Sequence, residues 1–235
     1  FHAQPNTCWE CGPQVELWDA QGRPLNTCEP IAAAAAHLRA GAVAAIKGLG
    51  GFHLACDATN SAAVARLRER KRRVEKPFAV MMPDVATIER FCDVDDAARD
   101  LLQSHERPIV LLPKKHSSPA ADSVAPFNRF LGVFLPYTPL HHLLFAAGRF
   151  SALVMTSGNL CEEPIAIDNR EALERLRELS DFFLVHNRDI LRRCDDSVLR
   201  VAAGRARLLR RSRGYVPVPV FLHRKFLQSW RSAAN

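Results

Sequence analysis

No run of apolar residues in this chain reaches the ~18–20 needed to span a bilayer, so no membrane span is expected. The opening "FHAQPNTCWECGP" has no signal-peptide pattern, and a cytoplasmic setting is the expectation. An initiator Met is also missing, so the chain reads as a piece of something longer. There is no internal repeat and no low-complexity linker. A P-loop, a G-x-G-x-x-G, an H-E-x-x-H, a Ser-His-Asp order and paired catalytic carboxylates are all lacking. Little in the chain therefore speaks for a nucleophile or a general base.

What is present is ordinary in bulk and biased in charge. The 235 residues are 48% hydrophobic and 24% charged, enough for one well-buried α/β domain with a small appendage. The net charge is +7 and the isoelectric point is about 9.3, which favours anionic partners: nucleotides, RNA or phosphorylated metabolites. The seven cysteines are odd in number and irregularly spaced. In a domain of this size they read as reduced thiols. Only Cys8 and Cys11, in "CWEC", make a recognisable unit.

The segment 1–28 is polar, rich in Pro, Gly and Asn, and reads as a small appended module. The main domain, 29–219, starts with "EPIAAAAAHLRAG", where Pro30 and Gly41 punctuate a helix. Strands are expected at "AVAAIK", "PFAVMM", "RPIVLLPK", "ALVMTSGN" and "DFFLVHNR", and helices at "TNSAAVARLRERKRR", "DVATIERFC", "VDDAARDLLQS", "TPLHHLLFAA" and "DNREALERLRELS". A proline-spotted loop covers about 114–136, and "SVLRVAAGRARLLRR" reads as a hairpin. The tail 220–235 has no clear home. This alternation predicts a mixed α/β sheet, twisted and open, with helices on its faces.

Five stretches carry candidate chemistry. "KGLGGFHLACDA" follows a strand, and its glycines would let backbone approach an anion; a tight structural turn explains them equally well. "KRRVEKPFAV" contains Lys71-x-Arg73 and Lys76. A solvated helix end accounts for those cations, but Pro77 pins the run at a strand edge, where ligands of α/β sheets collect. "MTSGNLCEEPI" ends a strand in Thr156, Ser157, Gly158 and Asn159, donors suited to ribose or phosphate, or simply a polar turn. "HNRDILRRCDDSV" offers Asp195 and Asp196 for Mg²⁺ and Arg188 and Arg193 for phosphate. "RRSRGYVP" adds Arg211 and Arg213. His141 and His142 open an apolar helix and read as packing or capping residues. Cations and neutral donors together suit phosphate chemistry done by positioning and charge neutralisation.

In order, "AIKGLGGFHLACDA", "RKRRVEKPFAVM", "LPYTPLHHLL", "TSGNLCEEPIA" and "RRSRGYVP" resemble the YrdC-like domain, and more closely the version found in HypF, the carbamoyltransferase of [NiFe]-hydrogenase maturation. The likeness runs over about residues 1–219. It implies a concave basic cavity for ATP with Mg²⁺, and places the family's K-x-R…S-x-N signature on Lys71, Arg73, Ser157 and Asn159. Lys47, Gly50, Lys76, Thr156, Arg188, Asp196, Ser197, Arg211 and Arg213 are the expected further contacts to the nucleotide. In the full-length family, carbamate freed from carbamoyl phosphate is joined to ATP, and the carbamoyl group passes to HypE. The neighbouring domains for those steps are not seen in this sequence, and "HRKFLQSWRSAAN" stands where a linker is expected. The family often has Ser where Cys161 stands. The zinc-finger region of the family is represented here by Cys8 and Cys11. His2 and Cys28 lack its paired spacing, so weak or no zinc binding and a frayed N-terminus are expected.

Two competing readings use the same residues. A threonylcarbamoyl-adenylate synthase for tRNA modification would take threonine and bicarbonate, although the "CWECGP" lead-in speaks against it. A double-stranded-RNA-binding module is allowed by the charge. Its arginines, however, fall in separate strand-end motifs and not on one basic face.

Overall fold

The computed structural model describes residues 8, 10–160 and 163–220. Its centre is a ten-stranded mixed sheet in the order β1-β8-β2-β3-β7-β4-β6-β5-β9-β10. The strands are β1 Val15–Asp19, β2 Ala44–Lys47, β3 Phe52–Asp57, β4 Ala79–Met81, β5 Ile109–Pro113, β6 Phe130–Phe134, β7 Leu153–Ser157, β8 Phe182–His186, β9 Val198–Ala202 and β10 Arg205–Arg210. Three neighbour pairs are parallel: β2 with β8, β4 with β6, and β5 with β9. The expected mixed sheet with helices on both faces is what the chain forms.

Six helices cover the sheet: α1 Pro30–Arg39, α2 Ser61–Arg70, α3 Val85–Phe91, α4 Asp96–Gln103, α5 Pro139–Gly148 and α6 Asn169–Leu176. Their starts follow the capping residues in the sequence. The side chains of Asn60, Asp84, Asp95, Thr138 and Asp168 each accept a backbone N–H of the first turn, satisfying donors that have no partner within the helix. Because successive strand residues face opposite ways, the sheet feeds two cores. Phe52, Leu54, Val80, Val133 and Val154 pack with α2, α3, α4 and α6. Ala44, Ile46, Ala55, Met81 and Met155 pack with α1 and α5. The central strands are buried on both faces, and their apolar runs are correspondingly unbroken.

Three strands lie where the sequence predicts none. β6 falls inside the expected loop 114–136, yet it pairs with both β4 and β5. Flanking prolines and Gly132 disguise it, and burial between two partners decides its conformation. β3 follows the glycine turn directly and pairs with β2 and β7. β1 lies within the segment 1–28 but pairs with β8 over five residues, so that stretch is an edge of the main sheet. The hairpin of β9 and β10 turns at Ala203-Gly204, both with positive φ, as the sequence indicates. Among the described residues, no helix is long and apolar enough to cross a membrane. The expectations for His2, Cys161, most of the tail and the first seven residues lie outside the described residues.

Candidate functional site

On the α1/α5 face of the sheet, β3, β7, β4, β6, β5 and β9 form the floor of an open cavity of about 450 Å³. One side of the cavity is apolar, with Ile109, Leu111, Phe130 and Val198. The other is polar, with the cations Arg73 and Lys76 beside Thr156, Ser157 and His53, facing Asp195 and Asp196.

The cationic side is built where α2 ends. Lys71 caps that helix, and its side chain turns inward until it is 2% exposed. Its ammonium donates to the carbonyls of Ser157 at 2.6 Å and Asn159 at 2.5 Å, and to Asn159 Oδ1 at 3.0 Å. The Ser157 hydroxyl donates to the same Oδ1 at 2.8 Å, and Asn159 Nδ2 donates to the Glu163 carbonyl. A buried ammonium needs oxygen partners to offset lost hydration, and the turn after β7 supplies them. The K-x-R and S-x-N stretches, 84 residues apart between Arg73 and Ser157, thus meet through Lys71.

Arg73 is directed to the cavity side of the same turn. Its guanidinium donates to Lys76 O at 2.9 Å, Thr156 Oγ1 at 3.1 Å and Pro77 O at 2.7 Å. It also lies 5.0 Å from the Phe78 ring centre. The loop that carries it is held by Arg68, a residue that sequence reading does not single out. Arg68 donates to the carbonyls of Arg73, Val74 and Lys76 on one side and Ser123 and Val124 on the other. Its guanidinium stacks 4.5 Å from the Phe78 centre. The only sign of this role in the sequence is its place one helical turn before Lys71 and Arg72.

The opposite wall is fastened by Arg213. It donates to Asp196 Oδ1 at 2.8 Å and to the carbonyls of Glu106 and Arg107. Its guanidinium lies 3.6 Å over the Tyr137 ring. Ser197 is fully buried, donating to Arg213 O and accepting from Ser212 N. Arg213 and Ser197 thus hold the wall, and Asp196 reaches the cavity with its charge already paired. Gly50 serves a close approach, but to the chain itself. A Cβ there would stand 2.2 Å from Cys194 O, and Cys194 lines the cavity.

Four of the candidate residues lie elsewhere. Lys47 is buried and donates to His186 O at 3.1 Å; burial lowers its pKa, against the pull of Asp189 and Asp168. Arg188 donates to Cys11 O. Arg211 donates to Tyr215 O and Val218 O within its own loop. Arg193 bonds Ile165 O and Glu171, bracing the turn after β7. None of the four lines the cavity.

Cys8 and Cys11 are exposed, with Cys11 N donating to Cys8 Sγ at 3.4 Å. That contact lowers the Cys8 pKa. Among the described residues, no group of three or more His, Cys, Asp or Glu is placed to hold a metal ion. Cys8 and Cys11 are two of the four ligands that a structural zinc takes, and the candidate His2 lies outside the described residues. For Mg²⁺ the residues fit only as one side of a site. Asp196 is neutralised by Arg213, while Asp195 lines the cavity as a hard oxygen donor. One or two carboxylates beside substrate phosphates is the usual arrangement for that ion.

The family described as "Telomere recombination", comprising Sua5, YciO and YrdC, matches residues 36–212. Carbamoyltransferase HypF of Rhodobacter capsulatus is 51% identical over 217 residues, covering 92% of this chain and 28% of the relative. The HypF of a Synechocystis strain is 48% identical over 210 residues, 89% of this chain and 27% of the relative. A crystal structure of full-length HypF in a phosphate- and nucleotide-bound form superposes with a TM-score of 0.85 at 48% identity, over 92% of this chain and 28% of that one. The chain thus spans about a quarter of the length of these relatives. Threonylcarbamoyl-AMP synthase of Mus musculus is more distant, 34% identical over 145 residues, 61% of this chain and 51% of that one. The chain belongs to the Sua5, YciO and YrdC family, and within it is homologous to the YrdC-like part of the HypF carbamoyltransferases.

Proposed function

We propose that this chain is the adenylating unit of a HypF-type carbamoyltransferase. It joins carbamate to ATP with Mg²⁺ to give carbamoyl-adenylate and pyrophosphate, on the way to the cyanide ligand of [NiFe]-hydrogenases. In that scheme carbamoyl phosphate is the upstream source of carbamate, and HypE is the acceptor downstream. The observation that carries the reading is the junction of Lys71, Ser157 and Asn159 beside Arg73, at the edge of a cavity with an apolar half. The apolar half suits a purine, and the cationic edge suits its phosphates.

The chemistry required is modest. A carbamate oxygen attacks the α-phosphorus of ATP, the bond to the bridging β-oxygen breaks, and pyrophosphate leaves with the electron pair. Both reactants are anions. Arg73 and Lys76 lower their repulsion, and Ser157 and Thr156 orient phosphate oxygens for in-line attack. Lys71 and Asn159 act behind them, fixing the turn. Asp195 would be the protein ligand to a nucleotide-bound Mg²⁺, which would offset phosphate charge. Gly50 and Arg213 are assigned to the scaffold of the cavity, and Lys47, Arg188 and Arg211 to its periphery.

The test is pyrophosphate release from Mg·ATP with bicarbonate and ammonia, which equilibrate with carbamate. Arg73→Ala should slow release by about tenfold or more, from the loss of a charge-assisted contact of ~1.5–3 kcal/mol. Far-UV circular dichroism should stay the same. Equal rates in wild type, Arg73→Ala and Asn159→Ala would remove the assignment. The likeness to threonylcarbamoyl-AMP synthase supports a second reading, which predicts release that depends on threonine and not on ammonia. An RNA-binding role predicts binding that falls steeply with salt, and ATP should compete with it if both use this cavity.

A further inference from the structure

Among the described residues, three lysines and arginines line the cavity: Arg73, Lys76 and Arg210. The first two stand between α2 and β4. Arg210, the first residue of "RRSRGYVP", stands on the opposite wall, where its Nε donates to Asp196 O at 2.8 Å. Its two terminal nitrogens have no hydrogen-bond partner or ion pair among the described residues. The other two arginines of that string are spent on the protein itself. Arg211 bonds carbonyls of its own loop, and Arg213 holds Asp196.

A bulge puts Arg210 there. From Arg205 to Leu208, β10 opposes β9 residue for residue, down to Leu199. Arg210 then opposes Val198, which leaves Leu209 as an extra residue without a partner. In a regular strand neighbours face opposite ways, so Leu209 and Arg210 would not both look into one cavity. The bulge re-aims the strand, and both line it. Cross-strand partners share a face, and Val198 lines the cavity as well. An exposed arginine on an edge strand usually does no more than discourage pairing with another chain. Arg205 and Arg207 fit that description. They keep regular register and lie outside the cavity, and their side chains make no hydrogen bond or ion pair among the described residues. Arg210 differs from them on all three counts.

Under the adenylation reading, on which this inference rests, Arg73, Lys76, Thr156 and Ser157 attend the α-phosphate and the incoming carbamate. The β- and γ-phosphates extend beyond that centre and carry most of the charge of ATP. The opposite wall offers them one cation. Its guanidinium is anchored through Nε and presents two terminal nitrogens, a fork that matches phosphate oxygens. We propose that Arg210, turned into the cavity by the bulge, grips the β- and γ-phosphates of ATP and stabilises pyrophosphate as it departs. When the bond from the α-phosphorus to the bridging oxygen breaks, the electron pair stays on that oxygen and the leaving group gains negative charge. A fixed cation beside it acts more strongly on the transition state than on bound ATP. Arg210 transfers no proton, because pyrophosphate departs unprotonated.

Calorimetry on the purified chain gives Kd for ATP, AMP and inorganic pyrophosphate, and pyrophosphate release at saturating Mg·ATP gives kcat. AMP lacks the two phosphates that Arg210 would hold. Arg210→Gln removes the charge and keeps an amide donor. Its Kd for ATP should rise about tenfold, equivalent to ~1.4 kcal/mol, while the Kd for AMP stays within about twofold. Pyrophosphate should bind more weakly by a similar factor, and kcat should fall severalfold. Arg210→Lys keeps the charge without the fork and should recover part of the loss. Arg207→Ala removes an equal charge from the same strand, outside the cavity, and should leave every value within about twofold of wild type. Unchanged ATP affinity in Arg210→Gln would overturn the grip. Equal weakening of ATP and AMP would overturn it too, as would an Arg207→Ala variant that weakens ATP as much. Wild type without affinity for ATP would sink the adenylation reading and the grip together. Wild type that binds ATP yet releases no pyrophosphate would remove that reading and the leaving-group role, while the split between ATP and AMP still decides the grip. An active wild type with unaltered Arg210 variants sinks the grip alone.

Discussion

At the Lys71 corner of the cavity one buried ammonium reaches three oxygens within 3.0 Å. At the His53 corner, about one strand width away, three buried nitrogens of His53 and His141 find no partner among the described residues. Lys71 comes from the end of α2, which packs on one face of the sheet, while His53 lines the cavity on the other. The difference separates two uses of a buried polar group. A charge inside a protein must be paired, and once paired it ties together the segments that supply its partners. A neutral imidazole tolerates an open nitrogen at a smaller penalty, so it can be kept in readiness for something else. The Lys71 corner is frame, while the two histidines leave nitrogens open inside the protein.

Replacing Lys71 by Met should break this contrast most visibly. The apolar stem is kept, and the carbonyls of Ser157 and Asn159 and the Asn159 Oδ1 lose a donor. Unsatisfied acceptors of this kind are destabilising by ~1–3 kcal/mol each, so a loss of about 3 kcal/mol or more is expected. In a chain of this size that lowers the melting temperature by about 6–12 °C. Arg73→Ala, on the cavity side, should change stability by less than about 1 kcal/mol while slowing the reaction. If thermal unfolding of Lys71→Met matched wild type, Lys71 would have to be counted with the substrate contacts.

Gly50→Ala tests the wall between the two corners and is expected to have a middling effect. The new Cβ would meet the Cys194 carbonyl, a backbone atom that cannot swing away. Overpacking of this kind is destabilising by ~1–3 kcal/mol. Chemical denaturation should show that loss with an unchanged m-value; a neutral result would mean that the glycine turn is free to shift.

How much of this was legible beforehand differs between the corners. The capped helices, most strands and the closing hairpin follow from periodicity and from residues such as Asn60, Thr138 and Gly204. The K-x-R and S-x-N stretches were found because they are short, local and cationic or hydroxylic. β6 was hidden, since Gly132 and nearby prolines mimic a loop and only its two partner strands reveal it. Arg188 and Arg211 show the reverse error. A cation in a promising string bonds whichever carbonyl is nearest, and the string does not say which. His53, Tyr137 and Arg213 are far apart in the chain, and their meeting depends on β3, the start of α5 and the end of β10 being brought together. His141 reads in the sequence as a packing or capping residue and is fully buried, but sequence gives no hint that both its nitrogens stay unpaired.

That unpaired ring supports the smallest predicted effect, and the one that most sharpens the comparison. His141 is fully buried, and burial holds its pKa well below the ordinary value, with His53, Arg213 and His142 acting in the same direction. The folded state therefore keeps it neutral. An unfolded chain takes up its proton near pH ~6.5. Stability is thus fully present above that pH and is lost as pH falls below it, by up to ~1.4 kcal/mol per pH unit for each such imidazole. His53 and His186 are shifted in the same direction, chiefly by burial, so the slope between about pH 6.5 and 5 sums over all three. His141→Leu removes one contributor and two unsatisfied nitrogens, and gives up the edge contact with Tyr137. At pH 7.5 these changes should nearly cancel, leaving stability within about 1 kcal/mol of wild type. Below pH 6 the variant should be the more stable protein, because its folded state no longer refuses a proton that the unfolded chain accepts. Urea unfolding at pH 7.5 and 5.5 checks both halves. A loss at pH 7.5 as large as that of Lys71→Met would place His141 in the frame and erase the distinction between the corners. Parallel pH profiles for variant and wild type would show that the buried ring does take up a proton in the folded state.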